Sequence, residues 1–490
     1  MGRINENDIN KCLLCNDAKC SKACKKIDVA KAIRSLRFKN IEGAKSLVLN
    51  ANCITCDAPC EDACIVDNLH IKELLIKLKN DETIKVQDVK NYNSLKTNFF
   101  GFEMDNPFIL SSSVVGSNYD MCARAFEMGW AGVSFKTICL MDIHETSPRF
   151  SATKNSNGQV TGFKNVEQLS TKSLEENLEI FKKLKKNYPN KLLIASIMGR
   201  DEKEWEYLAK AVSKIPVDAI ELNFSCPNMK DKNLGSDVGQ VKELVYEYTK
   251  VVRESTKLPI LAKLTPNVSS MKEIALAAKM GGADGISLIN TIKSLINVNT
   301  LEDIKSGKPR PSAVGGYSGD AVKPISLRFL NELKGTVELK NLHYSAMGGI
   351  ENYLDAIDYI TLGADTLQVT TAVMLYGYRI IEDLCDGLSR KLKELNIKNV
   401  SEIKGSLNNS VVNLNELKRD IVIYPKFLRD KCLECGRCYI SCMDGGHQAI
   451  SIGKDWKPVL NPKKCVGCHL CVIVCPCDAI IPSKYEAEAK

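Results

Sequence analysis

At 490 residues, 44% of them hydrophobic and 26% charged, the chain is too long for one ordinary compact domain, and two or three units are expected. No apolar run approaches the roughly 20 residues that span a bilayer, and the polar opening MGRINENDIN carries no leader-like segment, so a cytoplasmic protein outside any membrane is expected. The net charge of +8 comes from lysines and arginines scattered through stretches such as KLKKNYPNK rather than from one basic block, which argues against nucleic-acid binding.

The abnormal count is cysteine, at 21 residues. Eight lie in residues 1–98, four (Cys122, Cys139, Cys226 and Cys385) in the long middle stretch, and nine in the last seventy residues. In a cytosolic chain, CxxC-type spacing signals metal or redox clusters, not structural disulfides. The distribution predicts an N-terminal helical iron–sulfur domain over residues 1–98, a barrel over 99–398, a linker over 399–423 and a ferredoxin-like domain over 424–490.

The first segment holds an internal repeat, CLLCNDAKCSKAC (Cys12, Cys15, Cys20, Cys24) and CITCDAPCEDAC (Cys53, Cys56, Cys60, Cys64). Each copy precedes a helical pattern, AKAIRSLRF and IKELLIKLK, whose apolar residues (Ala32, Ile33, Leu36; Leu74, Leu75, Leu78) recur at helical spacing. Four thiolates per copy suit two [4Fe–4S] clusters; zinc stays open here because the spacing is less restrictive. Mixed ligation, three cysteines from one copy and one from the other, is the expectation.

The middle segment alternates short apolar runs with amphipathic helices such as SLEENLEIFKKLKKNY, EWEYLAKAVSKI, KELVYEYTKVVREST and MKEIALAAKMGG. The runs are PFILSSS, GVSFKT, LLIASI, AIELNFS, PILAKLT, GISLINT, HYSAMGG and TLQVTTA. Eight strand–helix units with unalternating strands specify a (β/α)8 TIM barrel better than an open doubly wound sheet.

In the last segment, Cys432, Cys435, Cys438 and Cys442, then Cys465, Cys468, Cys471 and Cys475 before Pro476, match the bacterial two-cluster ferredoxin run C-x2-C-x2-C-x3-C. That run assigns Cys432, Cys435, Cys438 and Cys475 to one [4Fe–4S] cluster, and Cys465, Cys468, Cys471 and Cys442 to the second. Zinc knuckles use two CxxC pairs instead. Cys477 is left over and is expected to be a buried thiol.

A TIM barrel carries its chemistry just beyond the C-terminal strand ends. The residues there are Lys136 and Thr137, Asn223, Ser225 and Cys226, Lys263 and Thr265, Asn290 and Thr291, Gly348 and Gly349, and Thr370 and Thr371. Glycines after the seventh and eighth strands let backbone N–H groups approach a phosphate. A cluster-rich chain needs a phosphorylated cofactor that splits electron pairs, so FMN is expected, with Lys263 stabilising negative charge on the reduced ring. No G-x-G-x-x-G or P-loop occurs, so electrons must come from a partner.

SPRF, GFKN, IASIM, NFSCP, AKLTPN, INT, GGYSG, GGIE, LQVTT and CGRCYISC follow one another in order between residues 99 and 480. Together they resemble the catalytic subunit of the bacterial NAD-dependent dihydropyrimidine dehydrogenases, relatives of the dihydroorotate dehydrogenases. The resemblance implies an oxidoreductase acting on CH–CH donors that interconverts uracil or thymine and their 5,6-dihydro forms. It implies that Asn165, Asn223, Phe224, Ser225, Asn290 and Thr291 bind the pyrimidine. By the same likeness, Ser111, Lys136, Thr137, Lys263, Gly319, Gly348, Gly349, Thr370 and Thr371 hold the flavin. The implied partner is an NAD(P)H:FAD subunit or a ferredoxin, in a homodimer or heterotetramer. The N-terminal cysteine segment departs from the usual bacterial catalytic subunit. Dihydroorotate oxidation and a non-catalytic ferredoxin-like electron carrier are the alternatives.

By composition alone Cys226 reads as core packing, since free cysteine is commonly buried. The resemblance makes it the proton donor: hydride reaches C6 from the flavin, and a proton must reach C5 from the opposite face. A thiol with a pKa near 8.5 is protonated yet acidic enough to serve. The following NMKDKNLGSDVG is polar and glycine-punctuated, as a mobile lid would be.

Overall fold

In the computed structural model, which describes residues 6–156, 158–229, 234–296, 305–307 and 312–488, the eight apolar runs are parallel strands. They are β1 (Phe108–Leu110), β2 (Gly132–Ser134), β3 (Leu192–Ile197), β4 (Ala219–Asn223), β5 (Ile260–Lys263), β6 (Gly285–Leu288), β7 (His343–Met347) and β8 (Thr366–Val369). Each pairs with its neighbours in chain order, and β8 returns to β1 to close the expected barrel. Apart from His343 at the start of β7, every strand residue is buried, because helices cover the outside and side chains fill the inside. The predicted helices form at Leu174–Asn187, Glu202–Val212, Lys242–Ser255 and Lys272–Met280. The first opens with a capping box in which Ser173 and Glu176 each bond the other's backbone N–H.

A four-stranded antiparallel sheet, absent from the sequence reading, is built from two barrel connections. Phe150–Lys154 and Val160–Asn165 lie between β2 and β3, while Ile292–Ser294 and Gly315–Ser318 lie between β6 and β7. The two hairpins join through Asn165 opposite Gly316. Gly162 is needed because a Cβ there would lie 1.6 Å from the Tyr317 hydroxyl, which crosses the sheet to meet Thr153 at 3.0 Å.

The chain divides into two compact units, up to Asn409 and from Ser410 onward. The N-terminal cysteine segment belongs to the first, with helices at Val29–Arg37 and Ile71–Asn80 where the periodicity predicts them. Val29, Ile33, Leu36, Leu74, Leu75 and Leu78 are continuous with the barrel's own core. Residues 399–409, read from composition as linker, also fall in this unit, with Val400 buried.

The second unit pairs Ile421–Phe427 with Ile480–Glu488 and Ile450–Ile452 with Pro458–Leu460. Between the strands run two short helices, Arg437–Gly445 and Leu470–Ile473. Among the described residues, no helix is long and apolar enough to cross a membrane.

Candidate active site and cluster sites

The C-terminal ends of the barrel strands and the added sheet line a solvent-open cavity, about 1100 Å³ when the open space at its mouth is counted. Ser111, Lys136, Thr137, Asn165, Asn223, Cys226, Lys263, Asn290, Thr291, Gly319, Gly348, Gly349, Thr370 and Thr371 all line it. Of the predicted strand-end residues in the barrel, Phe224, Ser225 and Thr265 do not. Side chains alternate along a strand, so Glu221 and Asn223 turn inward while Phe224 packs outward, 5.2 Å from Trp205. Ser225 acts one step back: its hydroxyl donates to Asn223 Oδ1 at 2.8 Å and accepts from Asn290 Nδ2 at 2.9 Å. Thr137 completes this chain, accepting from Asn223 Nδ2 at 2.9 Å and meeting Ser112 and Ser196. Such linked groups are held in one orientation before any ligand arrives.

Both cavity lysines are paired. Lys136 bonds Glu167, with Glu145 at 3.7 Å, and Arg149 approaches Glu167 at 3.0 Å. Lys263 lies 3.6 Å from Glu221, which is enclosed within the barrel. Asn228 donates to Asn165 Oδ1 at 3.2 Å and to the Glu167 carbonyl at 2.8 Å.

The Cys226 thiol faces the same space, and burial pushes its pKa up to about 11, against the opposing pull of the Asn228 backbone, Lys263 and Lys136. It is a weaker acid than the free-thiol value supposed from sequence. Of the glycine-punctuated stretch 228–239, residues 230–233 lie outside the described residues; Ser236 N–H anchors the far side to the Cys226 carbonyl at 2.9 Å.

Three features fit a phosphorylated flavin. Gly319, Gly348 and Gly349 have φ of 95°, 131° and 68°, and a Cβ on Gly349 would lie 2.8 Å from that of Lys323, so a tight backbone turn borders the cavity there. Asn228 Oδ1 and Gln368 Oε1 are buried with no partner among the described residues, and both residues line the cavity. Lys263 supplies a cation at the floor.

Sequence reading missed Asn228, Glu167, Glu221 and Gln368. For Glu221 and Gln368 the signal was present: each is a polar residue inside an apolar barrel strand.

In the second unit, one cavity is lined by Cys432, Cys435, Cys438 and Cys475, and another by Cys442, Cys465, Cys468 and Cys471. Backbone N–H groups point at several sulfurs: Ala449 at Cys442 (3.3 Å), Ala479 at Cys475 (3.3 Å) and Gly467 at Cys465 (3.4 Å). Donors of this kind stabilise thiolate sulfur and tune cluster potentials. Cys477, expected to be buried, is half-buried and sits in the first cavity with its sulfur 3.8 Å from that of Cys475.

The N-terminal cysteines interleave. Burial raises the Cys12 thiol, and Cys20, Cys15 and Cys64 add to the effect. Cys60 is pushed up to about 12 by burial, with Cys24 and Cys56 adding to it, and Cys53 likewise senses Cys24 and Cys56. The two loops therefore lie close enough for Cys64 to act on Cys12 and for Cys24 to act on Cys53 and Cys60.

A closed barrel with a polar, glycine-bordered cavity at its strand ends, joined to a two-cluster ferredoxin-like unit, defines the class of iron–sulfur oxidoreductases. The chain belongs to the dihydroorotate dehydrogenase family, whose model matches residues 94–392, and a 4Fe-4S dicluster domain matches residues 427–481. It is 49% identical to the NAD-dependent dihydropyrimidine dehydrogenase subunit PreA of Escherichia coli over 394 residues, 79% of this chain and 94% of that protein. It is 36% identical to the chloroplastic dihydropyrimidine dehydrogenase (NADP(+)) of Arabidopsis thaliana, over 62% of this chain and 75% of that one. The catalytic subunit of dihydroorotate dehydrogenase B of Pyrococcus abyssi is 38% identical, over 64% of this chain and 98% of that one. The fold matches a crystal structure of DHODH from Eimeria tenella with a TM-score of 0.53 at 19% identity, over 65% of this chain and 90% of that one.

Proposed function

We propose that this chain is the catalytic subunit of a dihydropyrimidine dehydrogenase, interconverting uracil or thymine and the 5,6-dihydropyrimidines in the cytoplasm. The observation that carries this reading is the convergence of Cys226, Asn165, Asn223, Asn290, Thr291 and Lys263 on one cavity. FMN, when bound there, supplies hydride chemistry and single-electron exchange with the clusters. Asn223 and Asn290, locked by Ser225, orient the ring through its carbonyl and N–H groups, and Asn165 and Thr291 bound its other edge. Cys226 gives the proton to C5, and the thiolate left behind is stabilised by Lys263 and Lys136. The amide and hydroxyl donors stabilise the enolate that forms during transfer. Gly319, Gly348, Gly349, Thr370 and Thr371 hold the phosphate, with Ser111, Lys136 and Thr137 along the flavin.

Four [4Fe–4S] clusters, two in each cysteine-rich segment, connect the flavin to a partner: an NAD(P)H-oxidising FAD subunit or a ferredoxin, in a homodimer or heterotetramer. The match to a dihydroorotate dehydrogenase B catalytic subunit favours a second reading, dihydroorotate oxidation. The ferredoxin unit, outside that match in kind, favours the first. The test is anaerobic purification with flavin, iron and sulfide counts, followed by substrate-dependent dye reduction. Dihydrouracil or dihydrothymine should reduce the dye; reduction by dihydroorotate alone would overturn the reading.

A further inference from the structure

TIM barrels fill their interior with layers of four side chains from alternate strands, mostly bulky and apolar. One layer here breaks that rule. The even strands supply Ser134 (β2), Glu221 (β4), Ser287 (β6) and Gln368 (β8), and all four are buried. Glu221 is the hub: it accepts from Ser134 Oγ at 3.0 Å, Ser287 Oγ at 2.8 Å and Gln368 Nε2 at 3.1 Å. Gln368 in turn meets Ser345, which accepts from Thr366.

This network lies directly beneath the cavity. Asn223 pairs with Lys263 at the rim, and Glu221 sits two residues deeper on β4. Lys263 reaches back so that its ammonium lies 3.6 Å from the carboxylate, with side-chain exposures of 3% and 0%. A buried ion pair contributes little net stability over apolar packing, because desolvation offsets the attraction. A polar layer in a barrel core, under the floor of the reacting cavity, therefore points to function.

We propose that Glu221 is a positioning residue, a buried counter-charge that holds Lys263 and thereby sets how readily the flavin above it takes up electrons. The inference rests on the flavin reading given above. The carboxylate draws the ammonium back from the ring, and its own negative charge offsets part of the ammonium's there. Replacing the carboxylate by its isosteric amide keeps the shape, with the Ser134 hydroxyl turning to accept from the new N–H, and leaves the ammonium's charge uncompensated, favouring the anionic reduced ring.

The test is the two-electron midpoint potential of the flavin in anaerobic holoenzyme, measured by dye equilibration. Glu221→Gln should raise the reduced-to-oxidised ratio at fixed potential about tenfold, roughly 30 mV for a two-electron couple. In a Lys263→Met background the same substitution should shift the potential by clearly less, since only the carboxylate's direct charge effect remains and the part that runs through the lysine is gone. An unshifted potential in flavin-replete Glu221→Gln, or an equal shift in the Lys263→Met background, overturns the proposal. Lys263→Met alone should lower the potential; if it does not, the flavin reading fails at its floor, which is a separate result. Should Glu221→Gln lose flavin, Glu221→Asp, which keeps the charge, must retain it with a potential near that of the parent. Flavin loss in both variants assigns Glu221 to packing and overturns the proposal.

Discussion

Arg34, on a helix of the cysteine-rich N-terminal segment, donates from Nε to Asp383 on the barrel's last helix at 2.7 Å, both side chains almost wholly buried. Ser35 donates to the other Asp383 oxygen at 2.5 Å, and Asn40 bonds Asp386 at 2.8 Å one turn away. Arg34 also donates to Glu382 at 2.8 Å, so removing Asp383 leaves the buried guanidinium half-paired, at a cost below the roughly 3–5 kcal/mol of a fully stranded buried charge. Asp383→Ala should therefore lower the unfolding midpoint and open the N-terminal segment to protease. A variant with an unchanged melting temperature and digestion pattern would show that the segment docks by its apolar face alone.

Cys226 yields a pH prediction with a definite sign. With its thiol pushed up to about 11, the group stays protonated through neutral and moderately alkaline pH, so pyrimidine reduction should be flat from pH 6 to about pH 10. Oxidation of a dihydropyrimidine needs the thiolate and should rise about tenfold per pH unit below that value. Cys226→Ala should keep flavin and iron yet lose about 10²- to 10⁴-fold in turnover, the usual worth of a general acid. Full activity in that variant would remove the assignment.

Much of this was legible because the signals were local. Barrel strands buried on both faces read as unalternating runs, and cluster loops announce themselves by cysteine spacing within a dozen residues. The sheet over the cavity was not legible, because its two hairpins are short, glycine-punctuated and drawn from connections far apart in sequence; only the three-dimensional pairing of Asn165 with Gly316 unites them. Phe224 was placed in the site by its motif, although strand alternation already turns it away from Asn223. Burial, which a motif does not carry, holds the Cys226 thiol above the free-thiol value.

Glu351, which follows the Gly348–Gly349 turn and lines the cavity, gives a second pH dependence. Burial, with Asp320 and Asp355 adding to it and Arg37 opposing, pushes its carboxyl up to about 7. Above that pH the carboxylate carries a negative charge beside the turn assigned to the flavin phosphate. Flavin should therefore dissociate more readily at pH 8 than at pH 6, by roughly fivefold for one partly screened repulsion of about 1 kcal/mol. Glu351→Gln should remove this dependence. Equilibrium dialysis of flavin at the two pH values decides it, and an identical slope in the variant would place the titrating group elsewhere.

The interleaved N-terminal cysteines make a prediction that distinguishes two wiring schemes by counting iron. Cys64 acts electrostatically on Cys12 and Cys20, and Cys24 on Cys53 and Cys60, which supports one group of Cys12, Cys15, Cys20 and Cys64 and a second of Cys24, Cys53, Cys56 and Cys60. If each group holds one cubane of four irons, Cys24 and Cys53 serve the same cluster, and Cys12 and Cys24 serve different ones. The Cys24→Ala/Cys53→Ala double variant should then lose about four irons, and Cys12→Ala/Cys24→Ala about eight. Ligation confined within each repeat predicts the reverse order. Iron and sulfide analysis of the two double variants, purified anaerobically and normalised to flavin, separates the schemes. Equal losses from both would mean that removing Cys24 strips the whole segment, and that neither grouping describes the bound state.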